Sequence, residues 1–253
     1  MITLNTILYE GNFRTFLSSD NWFFKFNYKL ITKKTLTVNN LTSKEEFLTL
    51  LNSLPKDDNL EIIYVDEDKD LIKEIFNLTI NEFTLGYNYT FSYFAMLNAI
   101  KTPYILNVAT DCMDDINVSE EFLQKSIIEL ENNPICSTTM VSWVKDNRIM
   151  PNGLTVGGYE QSEMSRIKGI VFPKNGNFDC TLNFSDQFFL GKVDKLKNID
   201  YNISENYSNQ IYNGPSYGGN SFEKRIVAHQ VYNNVFNFVF KNKDYYIHDK
   251  RYY

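Results

Sequence analysis

Cysteine is scarce in this chain: Cys112, Cys136 and Cys180 are odd in number, lie far apart and never fall in CxxC spacing. Neither a disulfide framework nor a structural zinc site is indicated, and a reducing, cytoplasmic setting is the simpler expectation. Long apolar runs are missing too. None approaches the roughly 18 residues that a membrane span needs, and the N-terminus, MITLNTILYEGNF, lacks the basic region of a signal peptide. Nor is positive charge in excess. With 31 acidic against 25 basic residues the net charge is -6, which argues against a protein whose main task is gripping nucleic-acid phosphates. Histidine is limited to His229 and His248. What is abundant is apolar and aromatic: 43% hydrophobic residues in a chain of 253, with 20 Phe and 17 Tyr, enough to bury a substantial core.

Strand and helix alternate through the first half. Ile2 to Tyr9 (ITLNTILY) is apolar and β-branched, closes on Glu10-Gly11-Asn12, and predicts a strand ending in a loop. A second strand is expected within Tyr28 to Val38. Ser43 to Glu46 (SKEE) reads as a capping box ahead of a helix whose Phe47, Leu50, Leu51 and Leu54 share one face. Leu60 to Val65 (LEIIYV) is a short apolar strand that runs into Asp66, Glu67 and Asp68, followed by a helix with Leu71, Ile72, Ile75 and Phe76 on one side. Another helix begins near Thr90, with Phe91, Phe94, Ala95 and Asn98 on a face. It feeds Tyr104 to Val108, an apolar strand that breaks abruptly into Asp111, Asp114 and Asp115. Ser119 is a good N-cap, with Glu120 and Glu121 placed favourably against the helix dipole.

This alternation predicts an α/β fold with a mainly parallel sheet covered on both faces, in which ligands bind beyond the carboxyl ends of the strands. Both acidic clusters sit at such ends, so they are expected to face a cleft. The second half reads as less regular. Gly and Asn recur in PNGLTVGGYE, FPKNGNF and YNGPSYGGNSFEKR, which predicts loops and short strands with one late helix near Phe222 to Val231. There is no internal repeat and no clean linker.

Three stretches carry a family resemblance. LNAIKTPYILNVATD (Leu97 to Asp111) resembles the run that leads into the D-x-D motif of GT-A glycosyltransferases, especially the family 2-like group. EIIYVDEDKD (Glu61 to Asp70) is similar to the acidic end of their third strand, and ITLNTILYEGN to their first strand, with Asn12 at the family's Asn. The resemblance implies a single GT-A (Rossmann-like) domain over residues 1–253, a mostly parallel sheet flanked by helices. Residues 1–116 would form the nucleotide-sugar-binding half and 117–253 an irregular, acceptor-facing half.

It also implies roles. A nucleotide-sugar donor leaves behind a diphosphate, and Mn²⁺ or Mg²⁺ bridging it to carboxylates lowers that barrier. Here the D-x-D register gives Ala109-Thr110-Asp111, so only the second Asp is kept; it can serve as a metal ligand, whereas the ribose contact of the first is lost. Similar enzymes complete the metal shell with a late His, which points to His248, while His229 reads as structural. Asp66 matches the base-contacting Asp of the family, Asp68 is a second nucleotide candidate, and Tyr9 is a candidate for stacking on the base. Asn98 and Lys101 match a family pattern, with Lys101 approaching the diphosphate, or form the polar face of a helix. Glu223 resembles the catalytic acidic residue that would deprotonate an acceptor hydroxyl, with Asp186 as the alternative base. Lys224 and Arg225 steady a phosphate or pair with neighbouring acids.

The reading is thus a metal-dependent transferase moving a sugar, from a UDP-sugar, onto a glycan, lipid-linked glycan, protein or modified-nucleobase hydroxyl. Two rivals remain at this stage: a non-catalytic binding module derived from such an enzyme, and a nucleotidyltransferase on a similar sheet, for which GNFRTF offers only one Gly and one Arg.

Overall fold

The computed structural model describes residues 1–18, 22–65, 69–78, 87–112, 116–145, 148–149, 175–182, 184–211, 221–241 and 246–248. Its centre is an eight-stranded sheet in the order β3-β2-β1-β4-β10-β6-β11-β9. Four neighbours, β1 (Ile2–Tyr9), β2 (Ile31–Asn39), β3 (Leu60–Tyr64) and β4 (Tyr104–Val108), run parallel. β10 (Phe188–Lys192) lies antiparallel between β4 and β6 (Cys136–Met140), while β11 (Phe236–Phe240) is parallel to β6 and antiparallel to β9 (Phe178–Thr181). Six strands therefore point one way and β10 and β9 the other. The sheet takes strands from both halves of the chain; the Gly- and Asn-rich stretches 151–160 and 212–220 lie outside the described residues. β5 (Ile116–Asn117), β12 (Tyr246–His248), β7 (Ser142–Lys145) and β8 (Arg148–Ile149) form a smaller sheet.

β1 follows the sequence expectation residue for residue: Ile2 to Leu8 are buried and only Tyr9 emerges. A strand buried on both faces needs covering on both. One cover is α5 (Tyr87–Ala99), which follows α1 (Phe13–Ser18), α2 (Trp22–Lys25), α3 (Lys44–Ser53) and α4 (Lys69–Ile75). Every α5 residue from Thr90 to Leu97 is buried, as befits a helix that is apolar all round rather than on one stripe. α6 (Glu120–Asn132) is amphipathic, and its Ser119 cap forms as expected, with Phe122 N–H donating to the hydroxyl at 3.2 Å. α7 (Val193–Lys197) and α8 (Phe222–Asn233) complete the helices among the described residues.

Two local expectations need correction. Leu71 and Ile75 on α4 are 50% and 49% exposed, so only Ile72 and Phe76 reach the core. The capping box at Ser43 does not form. Ser43 makes no side-chain cap bond; its hydroxyl donates instead to Glu10 at 2.8 Å, a stronger, charged acceptor.

Candidate active site

Because β1, β2, β3 and β4 are parallel and β10 runs against them, the carboxyl ends of the four strands meet the beginning of β10 along one rim. Short polar side chains tie this rim together. Asn12 Oδ1 accepts from Tyr9 N–H at 2.8 Å, and its Nδ2 donates to Thr110 Oγ1 at 2.9 Å. The loop after β1 is thereby joined to the 3₁₀ turn Thr110–Cys112 that follows β4. On the other side Ala109 N–H donates to Gln187 O at 2.7 Å, and Asn107 Nδ2 donates to Asp186 O at 2.7 Å. Asp186 is 6% exposed and enters β10 directly beside the end of β4, where Phe188 faces Val108.

Tyr9 stands 48% exposed at the mouth of this rim. Gly11 lets the ring lie across the loop, since a Cβ there would come within 2.9 Å of Tyr9 Cε2. Glu10 secures the loop from outside: its carboxylate accepts from Thr42 N–H (2.9 Å), Ser43 N–H (3.0 Å) and the Ser43 hydroxyl (2.8 Å). These bonds, those to Ser43 foremost, hold Glu10 down at about 2 against an ordinary 4.5. Arg14 then bridges Glu10 and Glu46 with contacts of 2.9 and 2.6 Å, and the two carboxylates hold its guanidinium firmly charged.

Glu223 is held on a different element. It lies in the first turn of α8, capped by Ser221, whose hydroxyl accepts from Lys224 N–H. The preceding residue, Phe222, stacks on Tyr93 of α5 with centroids 4.5 Å apart and rings 4° from parallel. It also meets Phe94, Phe184, Phe189 and Tyr201. Aromatic clusters of this kind fix orientation as well as area, so the start of α8 is wedged against α5 and the entry to β10. Tyr93 closes the circle, its hydroxyl donating to Asp186 O at 3.2 Å.

The remaining candidates divide. Asp111 sits in the 3₁₀ turn at the rim, placed by its backbone. His248 ends β12, which pairs with β5, the first strand after that turn; its backbone thus returns to the same side. Asp66 and Asp68 lie outside the described residues. Asn98 and Lys101 are separated from the rim: they precede β4 rather than follow it, and Lys101 Nζ donates to Asn98 O at 3.2 Å beside Lys197. Their place is the amino edge of the sheet, so a diphosphate contact for Lys101 does not fit. Arg225 is 4% exposed and donates to Tyr201 O, a core contact instead of a phosphate clamp. His229 lies on α8 with Nδ1 facing Asn233 Nδ2 at 3.0 Å, and burial lowers its pKa. Asn107, Thr110, Gln187 and Tyr93 belong to the rim although the sequence reading passed over them. The signal was there: Asn5 and Asn107 each interrupt an apolar strand, and they pair in register.

No protein-family model matches the chain, and no curated protein matches it in sequence. Solved structures do match. Mouse xyloside xylosyltransferase 1 in its apo form aligns with 94% of this chain and 85% of its own at a TM-score of 0.54 and 10% identity. The galactosyltransferase LgtC, in complex with donor and acceptor sugar analogues, aligns over 93% and 72% at 0.49 and 10% identity. Mannosyl-3-phosphoglycerate synthase from Rubrobacter xylanophilus aligns over 82% and 54% at 0.35 and 8% identity. Of these three, the xylosyltransferase match has a TM-score above 0.5, and at 10% identity it speaks for architecture alone. With the strand order and the carboxyl-edge rim described above, it establishes that this chain has the fold of the GT-A glycosyltransferases.

Proposed function

We propose that the chain is a glycosyltransferase that moves a sugar from a nucleotide-sugar donor, a UDP-sugar, to an acceptor hydroxyl. The observation that carries this reading is the polar frame through Asn12, Thr110, Ala109 and Gln187, which draws the ends of β1 and β4 and the start of β10 into one rim of a GT-A fold. Tyr9 offers an exposed ring for the base. Glu223, at the start of α8, takes the proton of the acceptor hydroxyl, with Asp186 as the second carboxylate at the rim.

A divalent cation suits the donor set. Asp111 and His248 would supply one carboxylate and one imidazole, a mixed shell that Mn²⁺ accepts readily and Mg²⁺ less so. Both enter by backbone position alone, and among the described residues no three metal-binding side chains cluster. Bound there, the cation would neutralise the departing diphosphate.

The test is UDP release from a panel of UDP-sugars with Mn²⁺, for wild type and Asp111→Ala. The expected result is Mn²⁺-dependent turnover that the substitution cuts by about a hundredfold or more. Absence of turnover and of any thermal shift with every donor would contradict the proposal. Binding to a partner that survives Asp111→Ala, without turnover in wild type, would mark a binding module instead.

A further inference from the structure

Amides in the middle of a buried sheet are costly unless fully bonded, and apolar residues would pack the same space more simply. Asn5 and Asn107 are 0% and 1% exposed, and they face each other on β1 and β4. Their bonds form a continuous chain. The hydroxyls of Thr35 and Thr37 on β2 both donate to Asn5 Oδ1 at 2.8 Å. Asn5 Nδ2 donates to Asn107 Oδ1 at 2.8 Å, and Asn107 Nδ2 donates to the Asp186 carbonyl at 2.7 Å. From α5 above, Tyr93 adds a second donor to that same carbonyl.

The chain ends on one peptide unit. Its oxygen, from Asp186, carries the two side-chain donors, and its N–H, from Gln187, donates to Ser185 Oγ at 3.3 Å. The next carbonyl, Gln187 O, is held by Ala109 N–H. A polar network in a low-dielectric interior is rigid when every member is satisfied. This one terminates at the residue whose carboxylate the transferase reading places beside the Thr110–Cys112 turn.

We propose that Asn107 and Tyr93 are positioning residues for the transfer reaction. By clamping the Asp186 carbonyl from two sides they fix where the Asp186 carboxylate stands relative to the turn bearing Asp111. The inference rests on the glycosyltransferase reading above and adds to it two residues that touch neither donor nor acceptor.

Three variants test it: Tyr93→Phe, Asn107→Thr and Asp186→Asn. Tyr93→Phe deletes one oxygen and leaves the ring stacked on Phe222; Asn107→Thr keeps the volume but leaves its hydroxyl short of the Asp186 carbonyl. UDP release from UDP-glucose, UDP-galactose and UDP-N-acetylglucosamine with Mn²⁺ gives kcat and KM, and calorimetry gives the affinity for UDP. The expected result is a kcat lower by about tenfold to a hundredfold for Asn107→Thr and about threefold to tenfold for Tyr93→Phe, with UDP affinity and donor KM within about twofold of wild type. Combined with Asp186→Asn, neither should cost anything further.

If both folded variants keep kcat within about twofold while Asp186→Asn loses it, the positioning role is overturned and the transferase reading stands. If Asp186→Asn is itself silent while Asp111→Ala is not, Asp186 is outside the chemistry and the inference falls with it. A wild-type chain that releases UDP from none of the donors overturns both. Should Asn107→Thr fail to fold, Tyr93→Phe decides alone.

Discussion

At the carboxyl edge of the central sheet, short side chains bond to loops: Asn12 to Thr110 and Asn107 to Asp186. At the amino edge, about 17 Å away along the five residues of β4, long side chains do the tying. Glu131 accepts from Tyr104 and from Lys192 at 2.8 Å, and Lys195 Nζ donates to the carbonyls of Asn133 and Cys136, each at 3.2 Å. The contrast is physical. Asn, Thr and Ser have few rotamers to lose on ordering, whereas Lys and Glu have many, so the first set holds atoms in place at small entropic cost and the second holds turns loosely together. An edge that positions reacting groups should be built the first way. Disturbing the rim should therefore cost turnover more than stability, and disturbing the amino edge the reverse.

Phe222→Ala should break this division most severely, because the ring belongs to the core and also orients Glu223. Losing a fully buried Phe costs about 3–5 kcal/mol, and urea unfolding should show that loss together with reduced UDP release. A variant that kept full turnover would show that the start of α8 is not fixed by its aromatic wedge.

Glu131→Gln sharpens the comparison from the amino edge. The bonds to Lys192 and Tyr104 hold the Glu131 carboxyl below its ordinary 4.5. A carboxylate with a depressed folded pKa adds stability above its unfolded pKa and loses it as pH falls below. The side chain is 40% exposed, so solvent screening leaves about 0.5–1 kcal/mol, or a melting temperature lower by about 2 °C near pH 7. The gap to wild type should close below about pH 4.5, with kcat unchanged throughout. A gap that widens in acid would reverse the assigned sign.

The smallest effect is expected for Lys101→Ala. Its ammonium bonds to a helix-end carbonyl on the edge remote from the rim, so calorimetry should find UDP affinity within about twofold of wild type. A tenfold loss would place the nucleotide on the wrong edge for this account.

These contrasts also explain what could be read from the chain beforehand. β1, β4 and the Ser119 cap were legible because apolar β-branched runs and a Ser followed by acids have few other uses. β6 was not, since CSTTM is mostly polar; Ser137 and Thr138 find their partners across the sheet, in Phe236 O and Asn237, and the Thr139 hydroxyl is buried without one. The expected box at Ser43 was lost to Glu10, 33 residues earlier, a competitor no local pattern reveals. Asn98 and Lys101 stand close to Asp111 in sequence, yet the length of β4 separates them from it. The rim was legible as a direction, from the carboxylates at strand ends, while the amide chain that stiffens it depends on which strands are neighbours.

The central claim is that nucleotide and cation bind at the carboxyl edge, at the turn bearing Asp111. A crystal soaked with UDP and Mn²⁺ tests it most directly. The account predicts density for the metal at the Thr110–Cys112 turn and for the base against Tyr9. Density at the amino edge near Lys192 and Lys195, with the rim empty, would contradict it.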